Sequence, residues 1–353
     1  MMSGIGNYWA ANGQEVTLVT LDSEATDFYS LSPEVTRVTL GLMTPSAHLT
    51  DTLRKNLRRL KRLRQEIRDS RPDVVISFMD IPNILTVLAA LYTNIPVIIS
   101  QRVNARLNPL GRWRNALRRL VYPWASAVVL QTEDARRWAQ GFLPKEAVCT
   151  IPNPIAPPAY EPDGVANPFH AVHNIIAMGR LDPQKGFDLL IRAFARCTTK
   201  RPDLSLVILG EGEERGRLER LADELGIADR VSMPGVIKEP IKLLSQADLF
   251  VLSSRYEGFP NALLEAMSCG LPAVSFDCPS GPGEIIRNGV DGILVPPEDV
   301  GALAAAMDRL VSDEVERRQL ASRAVEVTER FGVEKVMGMW EALIGKVIEK
   351  AHG

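Results

Sequence analysis

The feature that most constrains the fold is an alternation. Short, β-branched apolar runs recur along the chain, most of them followed by a stretch with helical spacing. Such runs read as buried strands. Their alternation with amphipathic helices requires a parallel sheet covered on both faces. In the first half, strands are expected at 16–21, 73–78, 96–100, 127–130 and 148–151, with helices at 51–69 and 84–92. Residues 152–162 then carry five prolines in 11 positions, which neither a helix nor a central strand tolerates.

The alternation restarts after this break. Strands are expected at 174–178, 205–209, 231–233, 249–252, 273–276 and 292–295. Helices are expected at 187–198, 214–225, 240–245, 262–268, 283–288 and 300–312. The chain therefore reads as α/β, with two Rossmann-like doubly wound domains facing each other across a cleft. The first spans 1–155 and the second 156–332, and a final helix over 333–353 packs back toward the first. In such domains ligands sit at the carboxyl ends of the strands.

One element is missing from this pattern. A doubly wound domain opens with a strand and a glycine-rich turn before its first helix. Here residues 1–12 already read as that helix, with Tyr8 and Trp9 on it and Gly13 closing it. The expectation is a first domain without its first strand, as in a fragment or a chain begun at an internal methionine.

Composition excludes several classes. No apolar run reaches the ~20 residues of a membrane span; the nearest, 84–99, is broken by Asn94 and Pro96. Asn7, Asn12, Gln14 and Glu15 interrupt what would be a signal peptide. Cys149, Cys197, Cys269 and Cys278 lie too far apart for a metal knuckle and read as reduced thiols of a cytosolic protein. His48, His170, His173 and His352 show no ligand spacing and read as surface or loop residues.

The net charge of −2 conceals an asymmetry. Residues 1–160 hold 19 Lys and Arg against 13 Asp and Glu, and the remainder is acidic. Much of the excess lies at Arg54, Lys55, Arg58, Arg59, Lys61, Arg62, Arg64 and Arg68. A second cluster comprises Arg102, Arg106, Arg112, Arg114, Arg118 and Arg119, with Trp113 among them. A basic amphipathic helix over 54–68 can lie on an anionic membrane; a solvated helix face is the plainer alternative. No aromatic–basic platform or known module accompanies the charge, so no nucleic acid is expected.

Three stretches carry chemistry. In 253–272 a strand ends at Leu252, a turn with Gly258 and Pro260 follows, and a helix begins near Asn261, a good N-cap. Such a turn offers backbone N–H groups and a positive dipole end to an anion. Glu257 lies in the turn and Glu265 one helical turn beyond it, placed to grip hydroxyls at two ends of a polyol. By residue type alone they could equally be capping and solubilising groups. In 178–187, Arg180 and Lys185 flank a loop opened by Gly179 and Gly186, where both cations can reach one anion, or be plain surface charge. The turn 209–213 (LGEGE) is a weaker nucleotide contact.

Together these stretches resemble the retaining GT-B glycosyltransferases of family 4. The markers are Gly179-Arg180-Leu181 with Lys185-Gly186, the Gly210-Glu211-Gly212 turn, the run 248–254 (DLFVLSS), and Glu257 eight residues before Glu265. The run 277–286 (DCPSGPGEII) is similar to that of bacterial members that extend lipid-linked oligosaccharides or exopolysaccharide repeats. The resemblance implies transfer of a hexose or N-acetylhexosamine from a nucleotide-diphosphate sugar, UDP in preference to GDP. The implied acceptor is a polyprenyl-diphosphate-linked glycan, at the inner face of the plasma membrane.

It implies catalytic roles for Glu257, Arg180 and Lys185: the cations neutralise the leaving diphosphate, and Glu257 holds the transferred sugar. Glu265 would hold the ribose. Gly179, Gly210, Val236, Ile237, Gly258, Phe259, Asn261 and Leu264 would complete the donor site, with Val236 and Ile237 beside the base. Asp80, Gln101 and Arg102 would lie on the acceptor side. No Asp-x-Asp occurs in the chain, in keeping with cations acting in place of a metal, and no cofactor is expected. An inactive paralogue that binds nucleotide sugar, or another GT-B enzyme such as an epimerase, is the alternative.

Overall fold

The computed structural model describes residues 2–21, 30–42, 49–102, 111–158, 173–199, 201 and 203–352. The chain divides into two compact units, one of Met1–Ile151 with Met337–Gly353 and one of Pro152–Val336.

In the first unit, α1 (Met2–Ala11) leads into β1 (Val16–Thr20), which pairs in parallel with β2 (Val35–Thr39). Next come α2 (Leu49–Ser70), β3 (Val75–Phe78), α3 (Asp80–Ala90), β4 (Val97–Ser100), α4 (Arg112–Val121), β5 (Ala127–Leu130), α5 (Glu133–Ala139) and β6 (Val148–Thr150). β3, β4, β5 and β6 form a parallel sheet in that order, separate from β1 and β2. A doubly wound sheet would join the two groups through a central strand; among the described residues none bridges them. β1 was expected to be buried but is mostly half-buried, as befits a strand of a two-stranded sheet. Val97, Ile99, Val128 and Leu130 pack with Ile67 of α2 and Ile84 and Val87 of α3 in one core.

The sequence reading missed β2, α4 and α5. β2 (VTRVT) has only two valines to mark it, and α4 is so basic that its apolar positions are sparse. α3 begins at Asp80, four residues before its expected start, because the polar Asn83 is drawn inside to donate to Ser100 O at 3.0 Å.

In the second unit the strands are β7 (His173–Met178), β8 (Leu204–Leu209), β9 (Val231–Gly235), β10 (Leu249–Leu252), β11 (Ala273–Phe276) and β12 (Gly292–Val295). The helices are α6 (Phe187–Thr198), α7 (Arg215–Glu224), α8 (Pro240–Leu244), α9 (Asn261–Ser268), α10 (Pro282–Ile285), α11 (Val300–Ser312), α12 (Glu314–Ala324) and α13 (Val327–Arg330). α14 (Val333–His352) closes the chain and belongs to the first unit from Met337 onward. His173, expected on a surface or loop, lies half-buried in β7.

The sheet runs β12-β11-β10-β7-β8-β9, all parallel. Its strands are apolar at both alternations, as a sheet buried on both faces demands. Ile175, Leu206, Leu249 and Val251 point to a core with Leu190, Phe194 and Leu303. Ile176, Val207, Phe250 and Leu252 point to the opposite core with Leu243, Leu263 and Val327. The strand order reverses direction between β7 and β10. The crevice outside the carboxyl ends of these two strands is the place where such a sheet binds ligands.

Candidate functional site

The loops that follow β7 and β10 are bonded to each other at this reversal point. Arg255 donates to both Asp188 oxygens at 2.9 Å and to Pro183 O at 2.8 Å. Burial works to raise the Asp188 pKa, but the hydrogen bonds and charge of Arg255 outweigh it and hold the carboxyl below its ordinary range. Gln184 Nε2 donates to Tyr256 O at 3.0 Å, and Ser253 Oγ to Lys185 O at 2.9 Å. Gly186, at φ +62°, lies so close that a Cβ would stand 2.1 Å from Ser253 O. Only glycine permits that approach.

This seam places Lys185 against Glu257, 72 residues later. Lys185 Nζ lies 2.6 Å from Glu257 Oε1, and Ser254 Oγ donates to the same oxygen at 2.6 Å. Glu257 is 5% exposed, so its charge is acceptable only because it is paired and hydrogen-bonded. The Lys185 stem runs along Gly179, where a Cβ would stand 3.0 Å from Cε. Gly210, at the end of β8, is equally constrained: φ is +140° and a Cβ would stand 1.9 Å from Gly179 O. Gly179 and Gly210 thus bring two loop backbones into contact.

Arg180 does not share the pair. It is 75% exposed and meets Asp182 at 3.1 Å, while Asp182 also accepts the Lys185 N–H at 3.2 Å. The two cations expected to converge are therefore directed differently, Lys185 inward and Arg180 to solvent.

The N-cap of α9 is Pro260, not Asn261 as expected. Pro260 starts the helix in extended conformation with no side-chain cap, and the Asn261 Oδ1 instead accepts from Asn153 Nδ2. Pro260 O accepts from the Leu263 and Leu264 N–H groups at 3.1 and 3.3 Å, whereas the Asn261 and Ala262 N–H groups that open α9 have no partner within the helix and suit an anionic ligand. Phe259 and Leu264 are buried. The Phe259 ring packs edge-on to Phe331 at 5.6 Å, so Phe259 can serve a ligand through its backbone alone, whereas the Leu264 N–H is taken by Pro260 O at 3.3 Å. Glu265 is half-buried, and burial raises its carboxyl pKa above the ordinary value. Val236 is exposed and Ile237 half-buried, just after β9, on the same carboxyl edge of the sheet.

The run 277–286 supports the turn from behind. Pro279 O accepts from Glu257 N at 3.4 Å, Ser280 Oγ donates to Gly258 O at 3.4 Å, and Gly281, at φ +99°, would drive a Cβ to 2.6 Å from Pro260 Cδ.

Two family models match the chain. Glycosyltransferase Family 4 matches residues 3–157 and Glycosyl transferases group 1 matches residues 169–327. The chain belongs to these glycosyltransferases. Solved glycosyltransferases share its GT-B architecture of two Rossmann-like domains. The sucrose-phosphate synthase of Thermosynechococcus elongatus superposes with a TM-score of 0.84 at 20% identity, covering 98% of this chain and 92% of that one.

Among sequence relatives, an exopolysaccharide phosphotransferase of Streptomyces coelicolor is 37% identical over 232 residues, 65% of this chain but only 24% of that protein. An undecaprenyl-diphosphate-linked glycan α-1,4-N-acetyl-D-galactosaminyltransferase of Campylobacter jejuni is 27% identical over 288 residues, 81% of this chain and 78% of that protein.

Of the three acceptor-side candidates in the first unit of this glycosyltransferase, Asp80 and Gln101 are buried and Arg102 is half-buried. Asp80 pairs with Arg118, and Gln101 accepts from Tyr122 OH at 2.8 Å. Burial is the main reason the Tyr122 hydroxyl is pushed up to about 12. Arg102 lies over the rings of Phe78 and Trp340, and burial lowers it to about 9. Asp80 and Gln101 are thus engaged by neighbouring side chains, and Arg102 stacks on two rings while keeping part of its surface exposed. Arg106, of the second basic cluster, falls outside the described residues.

Ser254 was missed by sequence reasoning. Its only local signal was a hydroxyl three residues before Glu257, and nothing in sequence says that the two side chains meet. All four cysteines are free.

Proposed function

We propose that this glycosyltransferase moves a hexose or N-acetylhexosamine from a UDP-sugar, in preference to a GDP-sugar, to a glycan carried on polyprenyl diphosphate, with retention of configuration. One observation carries the reading. At the reversal point of the second sheet, the buried Lys185–Glu257 pair stands beside the uncapped turn that starts α9.

A donor diphosphate fits that turn, where backbone N–H groups and the helix dipole favour its charge. Lys185 and the solvent-facing Arg180 supply the cations that stabilise the leaving diphosphate, and no metal or other cofactor is required. Glu265 accepts from the ribose hydroxyls, Val236 and Ile237 flank the base, and Glu257 accepts from hydroxyls of the transferred sugar. Charge develops on the phosphate and the sugar ring, so preorganised groups such as these contribute most to the rate. The acceptor class follows the names of relatives that act on lipid-linked glycans.

Membrane association at the inner face of the plasma membrane is part of the proposal, and the basic face of α2 supports it. Arg54, Arg58, Lys61, Arg62 and Arg68 are exposed, whereas Arg59 and Arg64 turn inward to donate to Leu42 O and to Leu88 and Ala89 O. No described helix is long and apolar enough to cross a membrane.

Calorimetry with UDP- and GDP-sugars, then turnover on a polyprenyl-diphosphate glycan, tests the reading. Tight UDP-sugar binding with turnover is expected. Binding without turnover supports an inactive paralogue, and no nucleotide binding at all sinks the proposal.

A further inference from the structure

The first unit displays an apolar stripe that the donor chemistry does not use. Trp113, Leu117 and Leu120 of α4 and Trp124 in the turn after it are 89%, 42%, 61% and 52% exposed. At 100° per residue Trp113, Leu117 and Leu120 of α4 fall within about 60° of one another, and Trp124 extends the apolar surface from the turn that follows. The opposite face of α4 is anchored: Arg118 is buried against Asp80, and Val121 and Tyr122 enter the core. The stripe therefore points outward because the helix is fixed from behind, not because it is loose.

Its surroundings are cationic. Arg114 and Arg119 are exposed and flank the stripe, and α4 contains no acidic residue. α2 packs on α3 and α3 on α4, so the exposed cations of α2 belong to the same helical layer. Residues 51–126 hold 15 Lys and Arg against 5 Asp and Glu. Two tryptophans at the ends of an apolar stripe, with arginines on both flanks, match the chemistry of a bilayer interface, which takes up indole rings at headgroup depth and attracts cations. An acidic protein partner would satisfy the charge but gives no reason for tryptophans at both ends.

We propose that α4 inserts this stripe into an anionic lipid surface, with Trp113, Leu117, Leu120 and Trp124 entering the headgroup–acyl boundary. The proposal rests on the reading of a membrane-associated enzyme and assigns the inserting element to α4, leaving α2 as the electrostatic contact.

The test is co-sedimentation of the full chain with vesicles of phosphatidylcholine alone or with one part phosphatidylglycerol to two of phosphatidylcholine. Wild type is expected in the pellet with the anionic vesicles only. Trp113→Glu/Leu120→Glu should lower the partition coefficient at least tenfold while leaving nucleotide binding unchanged. Brominated lipid should quench wild-type tryptophan emission, and Trp113→Phe should lose part of that quenching.

Arg58→Glu/Lys61→Glu reads the contribution of α2 separately. If it abolishes sedimentation while the α4 variant pellets like wild type, the α4 proposal is overturned and the α2 contact stands. Wild type that stays in the supernatant with both vesicle types overturns both and assigns the stripe to a protein partner. Equal pelleting with neutral vesicles overturns the anionic requirement.

Discussion

Lys185→Met retains the apolar stem that runs along Gly179 and removes only the ammonium. Glu257, 5% exposed, would then keep a single side-chain donor, Ser254 Oγ at 2.6 Å. Breaking a buried ion pair by removing one partner costs about 3–5 kcal/mol, because the other charge stays behind. Lys185 keeps 15% side-chain exposure and the Ser254 bond survives, which places the loss at the lower end, about 3 kcal/mol. A unit of this size loses roughly 2–4 °C per kcal/mol, so its Tm should fall by about 6–12 °C.

Lys185→Met/Glu257→Gln removes both charges and should recover most of that loss, since a buried pair contributes little net stability over a neutral replacement. Differential scanning calorimetry reads the four corners of the cycle. Turnover should be lost in both variants, since neither restores the cation beside the diphosphate. A double variant as unstable as Lys185→Met, or a single variant within about 1 °C of wild type, would refute the coupling.

Glu265→Gln should weaken nucleotide affinity by about 10- to 150-fold, the value of one or two hydrogen bonds to a charged acceptor, with little change in kcat. Burial raises the Glu265 pKa, so its favourable contribution to stability is fully present below the ordinary value of 4.5 and is lost as pH rises through the raised folded value. Glu265→Gln should accordingly raise Tm at neutral pH and change it little near pH 4, and a lower Tm at neutral pH would contradict the burial argument. Ser254→Ala should lower kcat with little effect on nucleotide affinity, measured by steady-state kinetics against calorimetry, because it loosens Glu257 alone. Gly210→Ala should cost more than about 3 kcal/mol and abolish donor binding, since its Cβ would stand 1.9 Å from Gly179 O.

Much of this protein could be read from residue order. Period and β-branching mark strands without reference to partners, so β5, β10, β11 and β12 fall at their expected residues, as do α6 and α11. The proline run at 152–162 breaks the chain for a local steric reason, and the division between units falls at its start. The loops carrying Gly179, Lys185, Gly210 and Glu257 were visible because turns after strands demand glycine and because their spacing matches a family.

Tertiary structure decided what those residues touch. Glu257 meets Lys185 because parallel strands β7 and β10 lie side by side, which nothing within either loop specifies. Asn261 forgoes its capping role because Asn153, 108 residues earlier, binds its side chain. Asp80 looks like an open carboxylate in sequence, yet Arg118 of α4 closes it off. The same anchoring turns Trp113 and Leu120 outward. Local pattern fixes which residues can be strand, helix or turn; only long-range packing determines which polar groups find partners and which faces remain uncovered.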